Sequence, residues 1–219
     1  MNSSFGFRPG LEDTARVEYG VTRDGLSQLR RYWEAPNPRA VALIVHGIAE
    51  HCGRYEHVAR QLVASGISVV GYDQRGFGES GGRRAYVDHF EHFHVDVEDH
   101  MVAIRRLGIP TVLVGHSMGG LVAASYALSG RPQPDVVVLS APALAAEAPA
   151  WLNRPLSLVG RAIPGAMVKL PLTPEDLATD PRVGEVYEAD PLVSTPTSVR
   201  LIAELGVTMR EVDERLSSW

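Results

Sequence analysis

Apolar residues run along this chain in two rhythms. Near the start they alternate with polar ones. "ARVEYGV" and "SQLRRYWEA" read as strands, and the "TRDG" between them carries the turn signal Asp24-Gly25, so a hairpin is predicted. From residue 40 the alternation disappears. "AVALIVHG" (40–47), "ISVVGYD" (67–73), "TVLVG" (111–115) and "DVVVLSAP" (135–142) are near-continuous apolar runs, the pattern of strands buried on both faces. Between them lie "RYEHVARQLVASG" (54–66), "VDHFEHFHVDVEDHMVAIRRLG" (87–108) and "MGGLVAASYALSG" (118–130), all with helical spacing. Strand and helix in turn, joined by right-handed crossovers, predict an α/β fold. The expected architecture is a doubly wound, mostly parallel sheet with antiparallel N-terminal strands.

After Pro142 the rhythm changes. Residues 143–193 are rich in Pro, Ala and Leu and show no clear strand. Asn153, Ser157 and Arg161 recur every four residues among Trp151, Leu152, Leu156, Val159 and Ile163, which reads as one short amphipathic helix. The predicted organisation is a core over 1–142, a helical cap over 143–193 above the sheet's carboxyl edge, and a return helix within 194–219.

The chemistry concentrates where the third parallel strand meets its helix. Gly115-His116-Ser117-Met118-Gly119 fits G-x-S-x-G, with a buried strand before it and a helix after it, as a nucleophile elbow requires. A strand turning at once into a helix strains its central residue, and side chains two positions either side would clash. Gly115 and Gly119 meet that need, and Ser117 is the candidate nucleophile. The helix beginning at Met118 aims free N–H groups at the same spot, so the Met118 amide is a candidate oxyanion donor. A second donor is expected from the loop after the first parallel strand, "HGIAEHCGRY" (46–55), at the Ile48 amide. The His46 side chain reads as a buried, hydrogen-bonded histidine instead.

"HGIAEHCGRY", "GYDQRGFGESGG" (71–82), "VGHSMGGLVAASYAL" and "VLSAPAL", in this order and spacing, resemble the α/β-hydrolases. Within that fold the chain looks like the monoacylglycerol lipase and lysophospholipase-like branch. The resemblance implies a serine esterase acting on a glycerol monoester of a fatty acid, with Ser117 as nucleophile and the Ile48 and Met118 amides as oxyanion hole. The insertion from 143 would then receive the acyl chain. No cofactor is implied.

Acyl transfer by serine needs a histidine base and an acid to orient it. In this fold they follow the serine in the order acid, then histidine. The eight histidines are 46, 51, 57, 89, 92, 94, 100 and 116, all before Ser117. His116 adjoins Ser117 but should project away from it, whereas His51 could approach from the 46–55 loop. Asp176, Asp180, Asp190 and Asp213 follow no strand-like run, so no triad Asp or His is assigned. Two further β-α units would need about 60 residues. The expectation is therefore a C-terminally truncated or split member, left with only residual catalysis by its oxyanion hole, with an open apolar edge at 135–140. The alternatives are an esterase for short or aromatic esters and a non-catalytic protein that keeps the elbow.

Composition adds exclusions. A net charge of −5 argues against nucleic acid as a partner. One cysteine, Cys52, permits no internal disulfide, and "MNSSFGFRPG" does not read as a signal peptide, so a cytoplasmic location is expected. No apolar run is long enough to span a bilayer. Membrane contact through the cap would be peripheral. His92, Asp96 and His100 share a helical face and are read as a solvated polar face, with no metal assigned. "GYDQRGFGESGG" lacks a phosphate-loop ending, and Asp73 and Arg75 are expected to hold a turn through bonds to backbone.

Overall fold

The computed structural model describes residues 15–144, 163–169 and 178–216. Its main sheet contains β1 (Arg16–Val21), β2 (Ser27–Trp33), β3 (Ala40–Val45), β4 (Ile67–Tyr72), β5 (Thr111–His116) and β6 (Val136–Ser140). They lie in the order β1-β2-β4-β3-β5-β6. The first pairings, β1 with β2 and β2 with β4, are antiparallel; β4-β3, β3-β5 and β5-β6 are parallel. This is the expected α/β architecture with its antiparallel lead-in. The hairpin turns at Gly25, whose φ of +88° suits a residue without Cβ.

The unbroken apolar runs are explained by two cores. On one face Val41, Leu43 and Val45 of β3 pack with Phe93, Val97, Met101 and Ile104 of α2 (Glu91–Arg105) and with Leu121 and Val122 of α3 (Met118–Ala127). On the other, Ala42 and Ile44 join Trp33, Val69 and the Ala59 side of α1 (Glu56–Ala64). Both faces of β3 are covered, so both must be apolar. The α3 helix is buried from Met118 to Tyr126, which is why its sequence shows no polar face.

Two readings change. The "GYDQRGFGESGG" arginine does not bond to the turn. Buried Arg75 instead spans two carboxylates, Asp96 at 2.8 Å and Asp24 at 2.7 Å. The expected solvated face of α2 is in fact packed. Asp96 is taken by Arg75, and His100 stacks on Tyr72 with its Nε2 2.9 Å from Gln28 Oε1. Sequence spacing cannot show that a neighbouring loop supplies partners for a polar stripe. Asp73 does hold its turn, accepting from the amides of Cys52 and Glu79 at 2.9 and 2.8 Å.

Beyond residue 144 the structure departs from a purely helical stretch. A small antiparallel sheet pairs β7 (Met167–Lys169) with β8 (Pro196–Ser198). Three-residue strands are too short for a period to be read. Helix α4 (Pro181–Ala189) starts on Asp180, whose carboxylate accepts from the Arg182 amide, with Pro181 in its first turn. The return helix is α5 (Val199–Leu216), which brings Leu201 and Val212 into the main core. The amphipathic helix expected around Trp151, Leu152 and Leu156 lies outside the described residues.

Candidate active site

Ser117 stands alone between the end of β5 and the start of α3, with φ +51° and ψ −118°. A non-glycine residue there costs about 1–3 kcal/mol and persists only where its surroundings impose it. They do so through the backbone. The Ser117 amide donates to the Ser140 carbonyl at 3.1 Å, and the Ser117 carbonyl accepts from Leu121 and Ala143 at 3.1 and 2.9 Å. The end of β6 thereby clamps the bend. A Cβ at Gly115 would strike the Gly119 carbonyl oxygen, and one at Gly119 would strike the carbonyl oxygens of Val45 and His46. Close approach of three backbones thus dictates both glycines. Ser117 itself is half-buried.

The loop after β3 lies against this bend. A Cβ at Gly47 would sit 3.3 Å from that of Ser117. Glu50 ties the loop to itself: its Oε1 accepts from the Gly47 amide at 2.6 Å and from the Tyr55 hydroxyl at 2.7 Å. His46 is buried and locked, Nε2 accepting from the Gln74 amide at 2.9 Å and Nδ1 facing the Gly47 carbonyl at 2.7 Å. A backbone N–H only donates, so Nδ1 carries the hydrogen. Burial favours the neutral ring and lowers its pKa. Ile48 is half-buried against the main core, and Met118 opens α3. The first amides of a helix have no acceptor within it and sit at its positive end. A strained serine, a helix start and a tightly held βα loop meet here, and such a place can receive developing negative charge.

Residues 36–219 match the family described as serine aminopeptidase, S33. The chain belongs to that family. As an S33 member it is 35% identical over 182 residues to the monoacylglycerol lipase of Mycolicibacterium smegmatis, covering 79% of this chain and 64% of that protein. Against the human monoglyceride lipase the identity is 32%, over 79% of this chain and 59% of the relative. The chain thus spans less than two thirds of the length of these relatives. The crystal structure of Paleococcus ferrophilus monoacylglycerol lipase superposes with a TM-score of 0.75 at 30% identity, over 84% of this chain and 71% of that one. A soluble variant of Saccharomyces cerevisiae monoglyceride lipase, in complex with a substrate analog, gives 0.80 at 22% identity, over 92% and 70%. Both share the α/β-hydrolase fold.

Where the histidines of this S33 chain go is then decisive. Among the described residues none is hydrogen-bonded to Ser117. His116 Nδ1 turns to the Oγ and carbonyl of Ser140, both at 3.1 Å. His51, which could have approached, is held elsewhere: its Nε2 lies 2.9 Å from Asp190 Oδ2. Sequence reading weighed Asp190 only as a triad acid and assigned it no role, and it gave none to Glu50 or Tyr55. Asp190 is 139 residues from its partner, and no local pattern marks such a pair. Cys52 is fully buried, and burial pushes its thiol well above the usual range, so it is no nucleophile at neutral pH.

Proposed function

We propose that this S33 chain carries the nucleophile and oxyanion hole of a serine ester hydrolase acting on glycerol monoesters of fatty acids. The observation that carries the reading is the backbone of Ser117, strained at φ +51° between two clashing glycine positions. Ser117 Oγ attacks the ester carbonyl. The oxygen of that carbonyl becomes negative and is met by the Ile48 and Met118 amides, donors whose value lies in being fixed before the charge develops. A base takes the serine proton and returns it to the departing glyceryl oxygen, so an acyl-serine forms and glycerol leaves; water, giving its proton to the same base, then releases the fatty acid. The role of base is assigned to no histidine at 46, 51 or 116. The substrate class rests on the names and likeness of the relatives. The region from 143 to about 193 receives the acyl chain in this reading and brings peripheral contact with a lipid surface at the cytoplasmic side. No helix of the described residues is long and apolar enough to cross a membrane.

The test is release of fatty acid from monooleoylglycerol, compared with p-nitrophenyl acetate, by the chain and its Ser117→Ala variant. Ser117-dependent turnover favouring the long acyl chain supports the proposal. Preference for the short ester moves the assignment to a carboxylesterase. A second reading is a binding protein that retains the elbow: among the described residues His51 and His116 bond to Asp190 and Ser140 rather than to Ser117. Tight monoacylglycerol binding with neither turnover nor serine labelling by a fluorophosphonate establishes that reading instead.

A further inference from the structure

We propose that Asp190 is a positioning residue, latching the 46–55 loop so that the Ile48 amide is held at the Ser117 bend. This rests on reading that loop as one half of the oxyanion hole. Residues 187–194 grip residues 49–54 at several points. The Ser194 amide donates to the Ala49 carbonyl at 3.1 Å. His51 Nε2 meets Asp190 Oδ2 at 2.9 Å; a carboxylate only accepts, so this nitrogen carries the hydrogen. The Arg54 guanidinium lies 3.7 Å from the same oxygen and stacks over the Tyr187 ring at 4.8 Å.

The grip is built on both sides. Asp190 cannot swing freely, because its Oδ1 accepts from the Leu192 amide at 2.9 Å and its carbonyl accepts from the Val193 amide at 3.1 Å. Burial opposes its ionisation, but the hydrogen bonds from His51 and Leu192 outweigh that, so its carboxyl lies below the usual range. The seat of His51 depends on two glycines: a Cβ at Gly78 would stand 2.8 Å from the His51 Cβ, and one at Gly53 would stand 2.9 Å from its ring.

The consequence falls on Ile48. Its preceding neighbour Gly47 is pinned by Glu50 at 2.6 Å. Its following neighbour Ala49 is buried with φ +66°, a left-handed backbone that alanine does not choose unaided. Ser194 and Asp190 hold that side. A positioned amide accelerates a reaction only if it is fixed before the charge develops. The stretch that leads back from the 143–193 region into α5 therefore fixes one donor of the site, and any shift of that stretch reaches Ile48 through its neighbour Ala49.

The test uses the full chain and reads backbone hydrogen exchange in peptides covering 46–55 and 111–127, with fluorophosphonate labelling of Ser117 alongside. Asp190→Asn, and His51→Phe, which cannot donate, are expected to speed exchange in 46–55 about tenfold, the size of one lost charge-assisted hydrogen bond. Exchange in 111–127 should not change. His51→Gln, whose amide can still donate to Asp190, should restore most of the protection. Asp180→Ala, which removes the α4 cap and its pair with Arg182, should leave 46–55 unchanged. Equal loosening of both segments, or no change in 46–55, overturns the latch. Labelling judges the other reading: a parent chain whose Ser117 never labels counts against the hydrolase proposal, while the exchange data still decide the latch.

Discussion

The Ser125 hydroxyl lies 2.7 Å from Nε2 of His94, and Nδ1 of that ring lies 3.0 Å from Glu91 Oε2. By distance this is a Ser–His–carboxylate chain, and it borders a cavity of about 350 Å³ between α2, α3 and α5. By surroundings it is not the reactive serine. Ser125 sits within α3, where the Leu121 carbonyl at 2.8 Å competes for its hydrogen and the amides about it are spent on helix bonds. Ser117 has the strained bend and the helix start, and among the described residues no histidine bonds to it. A fluorophosphonate followed by peptide mapping is expected to find adduct on Ser117 and none on Ser125. Ser117→Ala should cut any esterase turnover by about 10³-fold or more, and Ser125→Ala should leave it within about twofold. Adduct on Ser125 would reverse the assignment.

Gly119→Ala tests the packing at the elbow apart from its chemistry. The added methyl meets the Val45 and His46 carbonyl oxygens, rigid atoms of the strand that supports the 46–55 loop. We expect a loss of about 3 kcal/mol, read as a fall in the urea midpoint with an unchanged slope. A variant as stable as the parent would mean that β3 and α3 are further apart than described.

Acid should weaken the fold earlier than its carboxylates alone would. Burial lowers the pKa of His46, His94 and His100 below the ordinary histidine range. The folded state therefore keeps these rings neutral while the unfolded chain takes up protons. Their contribution to stability is complete above about pH 6.5 and is lost as the pH falls below it, at most about 1.4 kcal/mol per pH unit for each ring. Urea melts at pH 7.5, 6.5 and 5.5 should show the decline. His100→Gln should lower stability at pH 7.5 and flatten the slope; an unchanged slope removes His100 from the account.

The outer strand β6 presents Val136 and Val138, which are 51% and 44% exposed, on a sheet edge with no neighbouring strand among the described residues. Such an edge invites pairing between molecules. Size-exclusion chromatography of the 219-residue chain should show self-association, and Val138→Lys should shift it towards monomer. A clean monomer before substitution would contradict this.

Local patterns in the chain were enough for the parallel core, because a strand covered on both sides has to be apolar at every position, and Val41 to Val45 are. They marked the elbow too: Gly115 answers the Gly119 carbonyl four residues on, whereas the demand on Gly119 comes from the carbonyls of Val45 and His46, which no local pattern shows. Partnerships at long range were not legible. Whether Asp96 and His100 face water or an arginine and a glutamine, whether His51 turns to Ser117 or to Asp190, and that Lys169 pairs with Pro196, depend on segments dozens of residues away. Short-range sterics are written into neighbouring residues. The choice of a hydrogen-bond partner is made only when the folded chain brings the competing groups together.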